Sequence, residues 1–71
     1  MKREIMQVDF GLWMKEKRKD RQLRQVDLAQ KTGYHFNSIG RWERGEDSPT
    51  LEQAEKIVST LGGELVIRER I

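Results

Sequence analysis

The sequence has no cysteine and only one proline and one histidine, and none of its apolar runs exceeds three residues. Without cysteine there are no disulfide bonds and no thiol chemistry, and a lone histidine leaves no ligand set for a metal. The short apolar runs exclude a membrane span and a signal-peptide core, so we expect a cytoplasmic protein. No catalytic triad, carboxylate pair or glycine-rich phosphate loop stands out, so we expect that the protein is not an enzyme and has no cofactor.

The chain still contains enough apolar residues for one small core, since 35% of its 71 residues are hydrophobic. Its charge is unevenly distributed. Residues 1–44 carry 11 Lys and Arg against 6 Asp and Glu, whereas residues 45–71 carry 3 against 6. Positive charge is therefore concentrated where an anionic partner could bind, although the dense stretch 15–24 is equally typical of a solvated helix face.

Apolar spacing and helix-terminating residues predict four helices. Their predicted ranges are residues 9–19, 25–31, 36–44 and 50–61. Asp9 is expected to cap the first helix, and Thr50 with Gln53 forms a capping box at the start of the fourth. Gly33 and Gly45 are expected to end the second and third helices, because glycine readily adopts the left-handed conformation found there.

Helical spacing also predicts which side chains form the core. In the second, third and fourth helices the expected inward positions are Val26, Leu28, Ala29, Ile39, Trp42, Leu51, Ala54, Ile57, Val58 and Leu61. Trp42 is interpreted as a core residue because it shares a helix face with Ile39. After Gly62 and Gly63 the apolar period changes to two, which predicts a β-strand over residues 65–71.

A helix-turn-helix pattern is the strongest local signal. Ala29 stands where two helices would cross, Gly33 lies in the turn, and Ile39 and Trp42 face inward from the following helix. The same pattern includes the segments 25–29, 38–39, 41–45 and 49–52. Through these features the chain resembles the Cro/CI-type helix-turn-helix family, also called the XRE family, over roughly residues 10–61. The resemblance implies an all-α, lambda-repressor-like bundle of four or five helices.

Two charged residues are expected inside this bundle. Arg18 continues the buried stripe of the first helix one turn beyond Met14, and Glu43 lies beside Ile39 and Trp42. An unpaired buried charge would cost several kcal/mol, so we predict a partly buried salt bridge between Arg18 and Glu43. The alternative is that both side chains extend to solvent. The resemblance agrees with the salt bridge, because members of the family commonly contain such a pair.

The third helix of a helix-turn-helix lies in the major groove of DNA. Asn37 can bond adenine, Arg41 can bond guanine with two donors, and Phe36 can contact a thymine methyl group. The resemblance assigns base reading to the same three residues. It places phosphate or partly packed contacts at Gln25, Ser38 and Arg44. The alternatives are that Asn37 only caps the helix, Arg41 pairs with a carboxylate and Phe36 folds onto the surface.

Three residues depart from the family pattern. Arg24 and His35 stand where the family often has Ser or Thr as a helix cap, so both caps are expected to be poorer. Arg24 could contact a phosphate directly, and His35 could do so when it is protonated. Gly40 lies inside the third helix at a cost of about 1 kcal/mol against alanine, and either permits a close approach to DNA or is merely tolerated.

The predicted strand needs a partner, because a single strand cannot satisfy its own backbone hydrogen bonds. The partner is either the same strand of a second subunit or the N-terminal segment, residues 3–8. The expected dimerisation residues are Leu65, Val66, Ile67 and Ile71. We therefore predict an N-terminal segment (1–8), a helix-turn-helix domain (9–62) and a dimerisation strand (63–71).

These expectations predict a small homodimeric transcriptional repressor that binds a near-palindromic double-stranded operator. Small dimeric members of the family with a C-terminal strand resemble antitoxins of toxin-antitoxin operons, which would add a toxin as protein partner. Phage repressors are similar as well. The alternative function is a protein-interaction module that uses the same fold with little DNA specificity.

Overall fold

The computed structural model describes the backbone of residues 3–66 and the side chains from Phe10 onward. In chain order its helices are α1 (Arg3–Asp20), α2 (Gln25–Thr32), α3 (Phe36–Arg44) and α4 (Leu51–Thr60). Over these residues the fold is all-α, and the bounds of the last three helices agree with the prediction to within a residue. No helix in the described range is long and apolar enough to cross a membrane.

The first helix starts earlier than predicted. It begins at Arg3 rather than at residue 9, so Asp9 lies within the helix and its prediction as the N-cap is wrong. Asp is a favourable cap, but its presence does not by itself begin a helix. The preceding residues include good helix formers such as Glu4, Met6 and Gln7, and nothing in their sequence terminates a helix.

The core collects one or more side chains from every helix. Its fully or largely buried members are Met14, Leu28, Ala29, Ile39, Trp42, Ile57 and Leu61. α3 lies against both α1 and α2, and α2 also contacts α4. Gly11 permits the close approach of α1 to the end of α3, because a Cβ atom there would collide with the carbonyl oxygen of Trp42. The helix that carries the predicted base-reading residues is therefore held firmly on its inner face.

Two residues predicted for the core are exposed instead. Val26 is 38% exposed and Leu51 is 59% exposed. Each lies in the first turn of its helix. Helical spacing identifies which face of a helix is apolar, but it does not say how far along that face the neighbouring helices reach. Ala54 on α4 is only partly buried, whereas Val58 is 4% exposed.

The predicted capping box at the start of α4 is confirmed. Thr50 Oγ1 accepts a hydrogen bond from the Gln53 amide at 3.1 Å, and Gln53 Oε1 accepts one from the Thr50 amide at 2.8 Å. Gly33 and Gly45 end α2 and α3 in the left-handed conformation, with φ of 84° and 76°. These caps satisfy backbone groups that would otherwise lack partners at the helix ends.

The chain leaves α4 through a joint held by Arg21, the residue that follows α1. Arg21 Nε donates a 2.7 Å hydrogen bond to the carbonyl oxygen of Leu61, and Gly62 follows with a φ of 83°. The predicted strand is not supported, because Leu65 and Val66 have no regular structure. A strand in a single chain lacks the partner that would complete its hydrogen bonds. The other two predicted dimerisation residues, Ile67 and Ile71, lie outside the described residues.

Candidate nucleic-acid interface

A buried side chain holds the turn between α2 and α3 through two hydrogen bonds. The hydroxyl of Thr32, which is 1% exposed, donates to the carbonyl oxygen of Leu28 at 2.9 Å and accepts from the amide of Tyr34 at 3.3 Å. Tyr34 in turn packs edge-on against Trp42, with ring centroids 5.7 Å apart. This role of Thr32 could not be predicted from the sequence, since threonine in the last turn of a helix gives no distinctive spacing signal. The angle between the two helices therefore depends on a buried hydroxyl as well as on Gly33.

The outer face of α3 presents the three predicted base-reading residues to solvent. Phe36 is 50% exposed, and Asn37 and Arg41 are both exposed. Asn37 and Arg41 are four residues apart and so lie one above the other on the same face. Ile39 and Trp42 occupy the opposite, buried face of the helix. This division leaves polar donors and one aromatic ring accessible to a partner.

His35 caps α3, contrary to the prediction that its cap would be poor. Its Nδ1 accepts a hydrogen bond from the backbone amide of Asn37 at 3.1 Å. The histidine ring can replace a serine hydroxyl here because a neutral imidazole carries one acceptor nitrogen. With Nδ1 as acceptor, the ring proton lies on Nε2, so neutral His35 retains one donor. The ring also stacks on Phe36, with centroids 5.3 Å apart and an interplanar angle of 20°.

A shallow apolar groove adjoins this stacked pair. Its volume is about 330 Å³, and it is lined by Val26, Ala29, Gln30, Gly33, Tyr34, His35 and Phe36. Val26 and Phe36 give it two exposed apolar walls. The side chain of Phe36 therefore stacks on its neighbour at the edge of the groove and stays accessible.

At the start of α2, Arg24 and Asp27 form a two-pronged ion pair. Arg24 Nε and Nη2 donate to the two carboxylate oxygens of Asp27, each at 3.0 Å. The Arg24 backbone amide donates to the same carboxylate at 2.7 Å, so Asp27 supplies the cap that Arg24 lacks. These hydrogen bonds from Arg24 lower the pKa of Asp27 from 3.8 to about 2. The Arg24 side chain remains 78% exposed.

The two arginines on α3 also have carboxylate partners. Arg44 Nε and Nη2 donate to Glu46 at 2.7 and 3.1 Å, and Arg41 Nη2 lies 3.8 Å from Asp47 Oδ2. The hydrogen bonds from Arg44 lower the pKa of the Glu46 carboxyl below its ordinary value. The Arg41 contact corresponds to the carboxylate pairing that is the alternative to base reading. At 53% exposure the Arg41 side chain is nonetheless accessible.

Beneath this face lies a buried ion pair that joins three helices. Arg18 Nε and Nη2 donate to the Glu43 carboxylate at 2.7 and 2.9 Å, and the Glu43 side chain is 3% exposed. Arg18 Nη1 also donates to the carbonyl oxygen of Leu23 at 2.8 Å, and Gln25 Nε2 donates to Glu43 Oε1 at 3.0 Å. The pair that the sequence predicts is thus present, and both partners have further hydrogen bonds.

The remaining predicted phosphate contacts are half-buried. Gln25 donates one amide N–H to Glu43 and has a second N–H that can donate to another acceptor. Ser38 is also half-buried. A Cβ atom on the buried Gly40 would lie 3.0 Å from Arg44 Nη1 and 3.5 Å from Gln25 Oε1. Gly40 therefore makes room for these two side chains of the protein itself.

Within the described part of the chain there is no cluster of three or more residues that could ligate a metal ion. No curated protein and no solved structure gives a significant match to this sequence. A family model described as helix-turn-helix matches residues 14–67, which is most of the chain and includes α2, the turn and α3. The chain therefore belongs to the XRE-type helix-turn-helix family of DNA-binding transcription regulators.

Proposed function

We propose that this protein is a sequence-specific repressor that binds a near-palindromic operator as a homodimer. The observation that carries the proposal is the division of α3, which buries Ile39 and Trp42 and exposes Asn37 and Arg41 one turn apart. Four residues of α-helix span about 6 Å, close to two base-pair steps of 3.4 Å. Asn37 and Arg41 can therefore reach base pairs about two steps apart from the same helix.

In this proposal each side chain has a chemically defined contact. Asn37 bonds adenine through its amide, Arg41 bonds guanine O6 and N7, and Phe36 packs against a thymine methyl group. Phosphates are held by Arg24, Gln25, His35, Ser38 and Arg44. His35 contributes through its Nε2 proton while its Nδ1 caps the helix. These phosphate contacts position the helix but carry no sequence information by themselves.

The test is selection of bound duplexes from a randomised pool at near-physiological salt, with the wild type and the Arg41→Ala variant in parallel. The wild type should enrich a motif with two half-sites about one helical turn apart. Arg41→Ala should relax one guanine position in each half-site, with a loss of discrimination of about ten- to hundredfold there. Lys15→Ala, which removes one exposed charge from α1, is the matched control and should leave the motif unchanged.

Absence of any enriched motif, with binding that fades uniformly as salt rises, would contradict the proposal. The protein would then bind DNA only through charge. That result would favour the alternative, an interaction module with this fold whose partner is another protein.

Dimerisation through the tail has a separate test. Truncation after Gly62 removes Leu65, Val66, Ile67 and Ile71, the residues predicted to pair across a twofold axis. The truncated chain is expected to sediment as a monomer, and the intact chain as a dimer. Equal oligomeric states would contradict the tail-mediated dimer. The narrower role of an antitoxin rests on the family resemblance alone, and absence of a specific protein partner in a pull-down would count against it.

A further inference from the structure

All the arginines that the proposed function assigns to DNA have carboxylate partners within the chain. The pairs are Arg24 with Asp27, Arg41 with Asp47, and Arg44 with Glu46. In each pair the arginine side chain is more than half exposed, at 78%, 53% and 57% respectively. DNA can therefore reach each guanidinium, but it meets a group that already has an anionic partner.

A carboxylate and a phosphate compete for the same donors. Both present anionic oxygens that fit the planar fork of a guanidinium, and a two-pronged contact uses two of its N–H groups at once. Two of the three pairs are of this two-pronged kind, Arg24 with Asp27 and Arg44 with Glu46. Phosphate binding by these arginines thus requires that the internal partner be displaced or share its donors.

The pairs also reduce the positive charge that the surface presents to DNA. General attraction to DNA depends on the cationic groups that neutralise phosphates and release counterions. An arginine that has a carboxylate at hydrogen-bond distance forms a pair with almost no net charge. At distances comparable to the screening length, such a pair contributes little to the attraction between the protein and DNA. Hydrogen bonds from the arginines lower the pKa of Asp27 and Glu46, so both carboxylates stay ionised at neutral pH.

We infer that Asp27, Glu46 and Asp47 act as internal competitors of DNA. Asp27 and Glu46 compete with phosphates for Arg24 and Arg44, and Asp47 competes with a base for Arg41. They weaken binding to DNA of any sequence, so that electrostatic attraction alone does not keep the protein bound to non-specific DNA. This inference rests on the proposed function, because it presupposes that Arg24, Arg41 and Arg44 contact DNA.

The Arg44–Glu46 pair gives the cleanest test, because both side chains are exposed and Glu46 lies beyond the end of α3. The proteins to compare are the wild type, Arg44→Gln, Glu46→Gln and the double variant, each binding a duplex of random sequence at about 50 mM salt. Glu46→Gln should bind about two- to fivefold more tightly than the wild type. Arg44→Gln should weaken binding by a larger factor in the Glu46→Gln protein than in the wild type, because only there does it remove an unpaired arginine.

Glu52→Gln is the matched control, since it makes the same change in net charge on the exposed face of α4. It should change the affinity less than Glu46→Gln does. Additive effects of Arg44→Gln and Glu46→Gln, or equal effects of Glu46→Gln and Glu52→Gln, would overturn the competitor role while leaving DNA binding intact. Failure of all four proteins to bind duplex DNA would instead contradict the proposed function, and the inference with it.

Discussion

Two adjacent residues of α3 form ion pairs of the same geometry in opposite surroundings. Glu43 receives two hydrogen bonds from Arg18 at 2.7 and 2.9 Å, and Arg44 gives two to Glu46 at 2.7 and 3.1 Å. The Glu43 side chain is 3% exposed, whereas Arg44 and Glu46 are 57% and 51% exposed. Judged by their hydrogen-bond distances alone, the two ion pairs would be expected to be equally strong. Burial separates them, because water can replace the partner of Arg44 but cannot replace the partner of Arg18.

The largest effect is expected from breaking the buried pair. Glu43→Ala leaves the Arg18 guanidinium without its counter-charge and removes the acceptor of Gln25, which should lower the free energy of unfolding by about 3–5 kcal/mol. Glu46→Ala, the matched change in the exposed pair, should alter it little. Urea denaturation of both variants measures the difference.

Two further variants keep this test informative when Glu43→Ala does not fold. Glu43→Gln retains one acceptor oxygen and should lose less stability. Arg18→Ala combined with Glu43→Ala should cost clearly less than the two single losses together, because each single variant leaves one charge unpaired. Additive losses would contradict a direct interaction between Arg18 and Glu43.

A smaller effect is expected from displacing the backbone that carries Glu43. In Gly11→Ala the new methyl group would collide with the carbonyl oxygen of Trp42, so α1 must shift away from α3 at a cost of about 1–3 kcal/mol. Gly40→Ala is the matched substitution, because the atoms nearest to its methyl group would be the side-chain ends of Arg44 and Gln25 and not the backbone. It should be neutral or stabilising by up to about 1 kcal/mol, since alanine favours helix. Equal losses of thermal stability in both variants would refute this contrast.

The exposed pair should matter for DNA binding and leave folding unaffected. Arg44→Ala removes a proposed phosphate contact and should weaken binding to all sequences alike. The slope of log affinity against log salt should fall by less than about 1, because Glu46 already offsets part of the arginine charge. Its unfolding curve should match that of the wild type. Titration of an operator duplex at several salt concentrations measures the slope, and a changed base preference with an unchanged slope would contradict the phosphate role.

How much of this could be predicted from the sequence depends on whether a feature has a spacing rule. The last three helices, the capping box of Thr50 and Gln53, and the buried pair of Arg18 and Glu43 all follow from periodicity and from the cost of an unpaired charge, whereas the start of α1 does not. The contact between Arg24 and Asp27 could be predicted from spacing as well, since the N-cap residue and the third residue of a helix are the partners in a capping box.

Other features have no such rule. The Arg44–Glu46 pair crosses the end of α3 at Gly45, where helical spacing stops applying. The cap by His35 depends on which ring nitrogen faces the helix, which a residue type alone does not determine. The exposure of Val26 and Leu51 depends on how far the neighbouring helices extend. The candidate DNA contacts of α3 were named from the fold pattern, and their binding roles stay predictions.

The smallest expected effect concerns the third two-pronged pair, that of Arg24 and Asp27. Because hydrogen bonds from Arg24 lower the pKa of Asp27 to about 2, the pair contributes stability that is fully present above the ordinary value of 3.8. This contribution is lost as the pH falls towards 2. An NMR titration should place the Asp27 carboxyl near 2 in the wild type and closer to its ordinary value in Arg24→Ala. An ordinary pKa in the wild type would show that the pair does not persist in solution.

The joint formed by Arg21, Leu61 and Gly62 has a mechanical consequence. By bonding the Leu61 carbonyl at 2.7 Å, Arg21 fixes the direction in which the chain leaves the bundle, at the point where Gly62 turns it. In the proposed dimer this direction determines the rotational phase of one reading helix relative to the other around the DNA axis. Loosening the joint with Arg21→Ala would then leave each half-site's sequence unchanged and broaden the range of spacings between half-sites that the protein accepts.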